Sequence, residues 1–267
     1  CASDIVGFQT SRDVRSFLQS CEMFLEGAQV DHGSRTVRLN GRETAIRDYP
    51  ISIDVEELRR IANSPRALEY ERKLQPLLVE KTIIRVDRVE PSKNIIRGFR
   101  AYRLLLTRYP ELLGKVKFLA FLVPSRTHIR QYQRYLEELD ALVAEINQAF
   151  GREDWQPITV FYENNYTQAM AAMKLYDVLL VNSIIDGMNL VAKEGPVVNT
   201  RGGVLILSET VGAYAQLRGG AIAIAPADVE GTAQALYQAL TASVEERERR
   251  ASILALEVER EDIIHWM

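Results

Sequence analysis

The stretch VLLVNSIIDGMNLVAKEG, Val178 to Gly195, decides the fold. An apolar run stops at Asn182-Ser183, a tight Asp186-Gly187 follows, and MNLVAKE then has the pattern of a helix. A short run that is apolar throughout, without alternation, suits a strand covered on both faces of a parallel sheet. A turn between such a strand and a helix needs only a glycine and a cap. This one carries Asp186, Asn189, Lys193 and Glu194 within nine positions.

The same strand-then-helix step recurs on both sides. Upstream lie TIIRV (82–86) before SKNIIRGFRAYRLLLTRY, VKFLAFLV (116–123) before HIRQYQRYLEELDALVAEINQAF, and ITVFY (158–162) before YTQAMAAMKLY. Downstream lie GVLILS (203–208) before VGAYAQL, and AIAIA before DVEGTAQALYQAL. Six consecutive steps predict an α/β fold with a doubly wound, Rossmann-like parallel sheet. In such sheets ligands sit beyond the C-terminal ends of the strands. The first 80 residues differ. DIVGF and SRDVRSFLQSCEMFLEGA form one more strand-helix step, and RTVRLNGRETAIRDYPISID reads as a hairpin turning at Asn40-Gly41. The expected division is 1–55 as the tail of a preceding domain plus a connector, 56–245 as the Rossmann-like domain, and 246–267 as a C-terminal helical segment. The start, CASDIVGFQT, has neither an initiator Met nor a signal-peptide layout, and reads as a cut from a longer protein.

With 267 residues, 47% hydrophobic and 26% charged, the composition is that of an ordinary globular protein. The net charge of −3 and the absence of a Lys/Arg block argue against a nucleic-acid partner, and no 18-residue apolar run predicts a membrane span. Two cysteines and three scattered histidines have no metal-ligand spacing, so no metal is expected. The cytoplasm is the expected compartment. G-x-G-x-x-G after the first strand of the domain, the P-loop motif and the G-x-S-x-G elbow are all missing.

The strand ends hold the candidate chemistry. Arg88 and Lys93 follow TIIRV, with Ser92 as an expected N-cap and Lys93 in the helix's first turn. A cation at a helix N-terminus opposes the macrodipole, which suits an anion between the two. The alternative is Arg88 paired with Asp87 or Glu90 and Lys93 in solvent. Arg126 follows VKFLAFLV, either a ligand group or a solvated loop residue, with Ser125 or Thr127 as the next cap. Asn164-Asn165 suits a turn. In the opening stretch, Gly187 permits close backbone approach, and the amides of Met188, Asn189 and Leu190 can form an anion nest. Asp186 can accept from sugar hydroxyls and Glu194 from a ribose. Alternatively Asp186 caps the helix and Glu194 pairs with Lys193 or a distant Arg. Glu209 and Gly212 form another ligand-facing loop, or a plain turn.

Taken in order, VDRVEPSKN, VPSRTHIRQYQ, INQAFGREDWQPI, DGMNLVAKE and GVLILSETVGA resemble the trehalose-6-phosphate synthase family of retaining glycosyltransferases, over nearly the whole chain. The resemblance implies a GT-B fold, of which this chain supplies the end of the first domain and the complete donor-binding second domain. It implies that Arg88 and Lys93 clamp a donor pyrophosphate and act in catalysis. Asp186, Gly187 and the backbone of Met188, Asn189, Leu190 and Val191 would hold the transferred sugar and phosphates. Glu194 would take the ribose and Arg126 the acceptor phosphate. UDP-glucose or another nucleoside-diphosphate glucose is the implied donor and a sugar phosphate the acceptor, with no cofactor or metal. The other implied partner is the missing N-terminal domain, and the sequence leaves room for a homo-oligomer. Ile185 stands where the family usually has Arg, and Gly195-Pro196 is expected to bend or end the helix. Glucosylglycerol-phosphate synthases, cyclitol-coupling relatives and non-catalytic sugar-nucleotide binders would share these motifs.

Overall fold

The computed structural model describes residues 3–266. Two sheets organise the chain. The smaller is built from β1 (Ile5–Phe8), β2 (Gln29–Asp31), β3 (Thr36–Leu39) and β4 (Arg42–Asp48), in the order β1-β4-β3-β2. Strands β3 and β4 form the hairpin expected at Asn40-Gly41. Both turn residues have positive φ, 52° and 78°, as a two-residue hairpin turn requires. Helix α1 (Ser11–Phe24), capped by the Thr10 side chain, lays Val14, Leu18 and Cys21 on Val37 and Ile46 of this sheet.

Two helices follow, α2 (Val55–Ala62) and α3 (Pro65–Leu74). The break is local chemistry, because Ser64 caps α3 and Pro65 takes its first position. The larger sheet then begins. Its strands are β5 (Lys81–Val89), β6 (Val116–Pro124), β7 (Ile158–Tyr162), β8 (Val178–Val181), β9 (Val204–Ser208) and β10 (Ile222–Ile224). All pairings are parallel, in the order β10-β9-β8-β5-β6-β7. This is the doubly wound arrangement, with the reversal of direction between β5 and β8.

Successive strand residues feed opposite faces, as the pleat dictates. Ile83, Phe118, Val178, Leu180, Val204 and Ile206 pack against α4 (Ile95–Arg108), α5 (Arg130–Phe150) and α9 (Val229–Thr241). Ile84, Leu119, Leu179 and Leu205 pack on the other face, against α6 (Tyr166–Lys174), α7 (Val191–Val198) and α10 (Val244–Arg260). Two faces buried by helices explain why the strands read as unbroken apolar runs. The short α8 (Tyr214–Leu217) and α11 (Ile263–Trp266) complete the helices. Residue Ile263 donates its backbone N–H to Ile53 O at 3.0 Å, so the chain's end is pinned to the segment joining the two sheets. Among the described residues no helix is long and apolar enough to cross a membrane.

Three local expectations are corrected. Helix α4 starts at Ile95 rather than at a Ser92 cap. Pro91–Lys93 forms a 3-10 turn, so Lys93 precedes the helix, and Asn94 turns the chain at φ 60°. Neither Ser125 nor Thr127 caps α5, which begins at Arg130, and the Ser125 hydroxyl donates to Glu90 instead. Gly195-Pro196 does not end α7, which runs on to Val198 with Pro196 inside it. In so short a helix Pro196 forfeits one backbone bond, and burial of the whole segment offsets that loss. Gly195 is there for space, since a Cβ would come within 2.3 Å of Leu179 Cδ2.

Candidate functional site

Doubly wound sheets as a class bind ligands at the strand-order reversal, and here the β5/β8 reversal gathers the residues of the opening stretch. Asn94 stitches it together. Its left-handed backbone, which Asn tolerates, aims the side-chain amide at two carbonyls, Asn182 O at 2.9 Å and Pro226 O at 2.7 Å. Strand ends β5, β8 and β10 are thereby held in register. Ile184 N–H also donates to Ser92 O at 2.8 Å, joining the loop after β5 to the loop after β8.

This junction brings Lys93 onto Asp186, with Nζ donating to Oδ2 at 2.5 Å and lying 3.7 Å from Asp87 Oδ1. The Asn189 side chain donates to the same Asp186 oxygen at 3.0 Å. Asp186 therefore does not cap α7. That part falls to Asn189, at φ 67°, whose Oδ1 accepts from Ala192 N–H at 3.2 Å. No protein acceptor is found among the described residues for the amides of Met188, Asn189 and Leu190. Three open N–H groups beside a lysine and a helix start are the elements of an anion nest.

The other predicted residues lie at varying distances from this centre. Arg88 is ion-paired with Glu90 Oε1 at 3.0 Å with its side chain 59% exposed, one of the two arrangements its sequence allowed. Arg126 is exposed at φ 49° and bonds and stacks on Tyr132, 2.8 Å from its hydroxyl. Glu90 also receives the Ser125 hydroxyl, so the Arg88 and Arg126 loops meet at that carboxylate. Glu194 is buried and does not pair with Lys193. Tyr166 donates its hydroxyl to Glu194 Oε1 at 3.1 Å. Burial raises the Glu194 carboxyl above its usual range, and the tyrosine bond opposes this only in part. Lys193 is buried too and donates to Ile51 O at 2.9 Å, a structural partner across the connector. Burial lowers its ammonium to about 8, against the attraction of Glu261. Ile51 N–H in turn donates to Gln9 Oε1, so Gln9, Ile51 and Lys193 tie the smaller sheet to α7. Asn165, expected in a turn, caps α6 by accepting from Gln168 N–H at 3.0 Å.

A cavity of about 640 Å³ opens on the other side of the Asp186 turn, between it, the start of α1 and residues 209–216. Its wall includes Thr10, Asp186, Met188, Lys193 and Glu209, but not Arg88, Lys93 or Glu194. Gly212 closes the two loops on each other. Its N–H donates to Asp186 O and Ala213 N–H to Met188 O, both at 3.0 Å. Sequence reasoning missed Arg85, Asp87 and Tyr166. Arg85 hid inside a strand, Asp87 was named only as a possible partner of Arg88, and Tyr166 looked like an ordinary first-turn residue.

The chain is similar to known proteins throughout. The profile of glycosyltransferase family 20 matches residues 1–267. A bifunctional trehalose-6-phosphate synthase/phosphatase of Thermoproteus tenax is 34% identical over 270 residues, 99% of this chain and 36% of the relative. A structure solved as trehalose-6-phosphate from E. coli bound with UDP-2-fluoro glucose superposes with a TM-score of 0.89 at 30% identity, over 98% of this chain and 58% of that one. An alpha,alpha-trehalose-phosphate synthase (UDP-forming) from Burkholderia xenovorans in complex with glucose-6-phosphate gives 0.90 at 30% identity, over the same two shares, 98% and 58%. The chain spans about half, or less, of the length of the curated relatives it matches. A profile matched from end to end, and a fold shared with solved members at this identity, place the chain in glycosyltransferase family 20.

Proposed function

We propose that this chain is the donor-binding part of a retaining hexosyltransferase that moves glucose from a nucleoside-diphosphate glucose to glucose 6-phosphate, giving trehalose 6-phosphate. The observation that carries the reading is the junction of Lys93, Asp186 and the open amides of Met188, Asn189 and Leu190 at the β5/β8 crevice. The relatives that bind UDP-2-fluoro glucose and glucose-6-phosphate share this fold and support both substrate assignments. Residues 1–55 would close the acceptor-side domain, 56–245 would hold the donor, and 246–267 would return toward the acceptor side.

In this reading the diphosphate lies against Lys93 and the amides, with Arg88 swinging from Glu90 to complete the clamp. Breaking the sugar–phosphate bond loads negative charge onto the leaving diphosphate. Preorganised cations and N–H groups stabilise it as that charge grows. Asp186 turns from Lys93 to the sugar hydroxyls, Glu194 takes the ribose, and Arg126 leaves Tyr132 for the acceptor phosphate. With no carboxylate assigned as a covalent nucleophile, the acceptor attacks from the face the leaving group vacates, through an oxocarbenium-like state.

The test is a product assay of the full-length protein with UDP-, GDP- and ADP-glucose against glucose 6-phosphate, glycerol 3-phosphate and a cyclitol phosphate. Trehalose 6-phosphate is the expected product. Turnover with only another acceptor reassigns the reaction, and no turnover with any pair overturns the enzymatic reading. Glu194 adds a pH signature. Its pKa is raised, so it takes up a proton sooner than an ordinary glutamate as pH falls, and a neutral carboxyl accepts ribose hydroxyls less well. The donor KM is expected to rise on acidification, and Glu194→Gln to have a high KM that no longer changes over that limb. A wild-type KM that stays flat counts against the ribose assignment.

A further inference from the structure

Arg85 is the largest completely buried side chain among the described residues, 0% exposed in the middle of β5. An isolated buried guanidinium is costly, and such charges persist where they are paired. Here Nε donates to Asp87 Oδ2 at 2.9 Å and Nη2 donates to the Lys93 carbonyl. Among the described residues Nη1 has no acceptor, and it lies over Gly98, where a Cβ would come within 2.6 Å. A glycine in α4 therefore leaves room for this arginine. Beyond Asp87 the contacts continue through Lys93 Nζ to Asp186. Two cations and two carboxylates thus alternate from the sheet interior to the crevice.

We infer that Arg85 and Asp87 are positioning residues for donor binding: Arg85 engages Asp87 and the Lys93 carbonyl, so that the Lys93 ammonium stays directed at the crevice. The inference rests on the donor-site reading above. Without Arg85, the Asp87 carboxylate has only Lys93 as a cationic neighbour and draws it inward, in competition with a diphosphate. The ionisable groups acting on Asp87 are Arg85 and Lys93 from β5 and the turn after it, Asp186 from the opposite loop, and Tyr135 from α5. Burial raises Asp87, with Arg85 and Lys93 opposing, and burial also raises Tyr135, which stays a neutral phenol.

The experiment is calorimetric titration of UDP into the full-length protein, with folding of each variant checked by thermal melting. Arg85→Met is expected to weaken UDP about 10-fold at about pH 8, the scale of one charge-assisted contact. The deficit relative to wild type is expected to shrink as pH falls, because protonating Asp87 releases Lys93. The double variant Arg85→Met/Asp87→Asn, which removes competitor and neutraliser together, is expected to return to within about 3-fold of wild type. If Arg85→Met does not fold, Arg85→Lys serves: it keeps the charge but cannot reach both partners, and the same pH trend is expected at about 3-fold. A loss that is independent of pH, a double variant as weak as the single, or unchanged binding overturns the inference and leaves the donor site standing. No UDP binding by the wild-type chain overturns the donor-site reading, and this inference with it.

Discussion

Lys93→Ala is expected to lower kcat/KM for the nucleoside-diphosphate glucose by roughly 30- to 1000-fold, about 2–4 kcal/mol of transition-state stabilisation. Its ammonium stands at the crevice between Asp186 and Asp87, and its side chain is mostly buried. In that partly desolvated setting one positive charge stabilises a departing diphosphate far more than it would in water. The alanine variant also leaves the Asp186 carboxylate without its cation, which works against an incoming anion. Arg88→Ala is expected to act in the same direction by a smaller factor, since Arg88 is largely exposed and must first leave Glu90. Steady-state kinetics on the folded variants check both. Near wild-type turnover in Lys93→Ala removes the lysine from the diphosphate clamp.

Gly212→Ala is expected to cost about 1–3 kcal/mol of stability and, with it, most of the activity. A Cβ at this position would lie 1.9 Å from Gly187 O and 2.7 Å from its carbonyl carbon. Both are backbone atoms, so the clash cannot be relieved by turning a side chain. The 186–188 turn has to move, and it carries Asp186 and the start of the amide nest. Displacing such groups by about 1 Å can cost on the order of 100-fold in rate. The expected result is a lower melting temperature together with a loss of kcat/KM larger than the stability change alone produces at assay temperature. A variant with wild-type kinetics shows that the loop contact does not position the site.

The sequence offers Gly212 as part of a ligand-facing loop or as a plain turn, and neither reading anticipates that its N–H bonds Asp186 O and joins the two loops. That difference shows what kind of information was legible. The unbroken apolar runs announced the parallel sheet, because a strand covered on both faces takes apolar residues on both, save where a buried polar group finds partners. Asn40-Gly41 announced its hairpin, because few residue pairs accept two positive φ angles. The order of motifs after the strands announced the family. Each of these is a property of a residue and its near neighbours along the chain.

Arg85 shows the opposite case. Within TIIRV it read as an ordinary strand residue, and although Asp87 stands only two positions on, the burial that makes the pair necessary does not show in the sequence. Its partners become visible only when Asp87, the Lys93 carbonyl and Gly98 fold around it. The same holds for Lys193, unassigned from sequence, whose acceptor Ile51 lies 142 positions away, and for Tyr166, which reaches Glu194 over 28. The local alternatives for Asp186 and Glu194, a helix cap and a pairing with Lys193, give way in the same manner. Asp186 turned to Lys93 and Glu194 to Tyr166, each finding a partner that helix geometry alone does not supply.

By itself, then, the sequence determined the strand-helix alternation, the hairpin and the family, since these follow from hydrophobic period, local backbone preference and motif order. Only the tertiary structure decided where the charges point. A buried ion must be satisfied by whatever the fold brings within about 3 Å, and that distance is indifferent to separation along the chain.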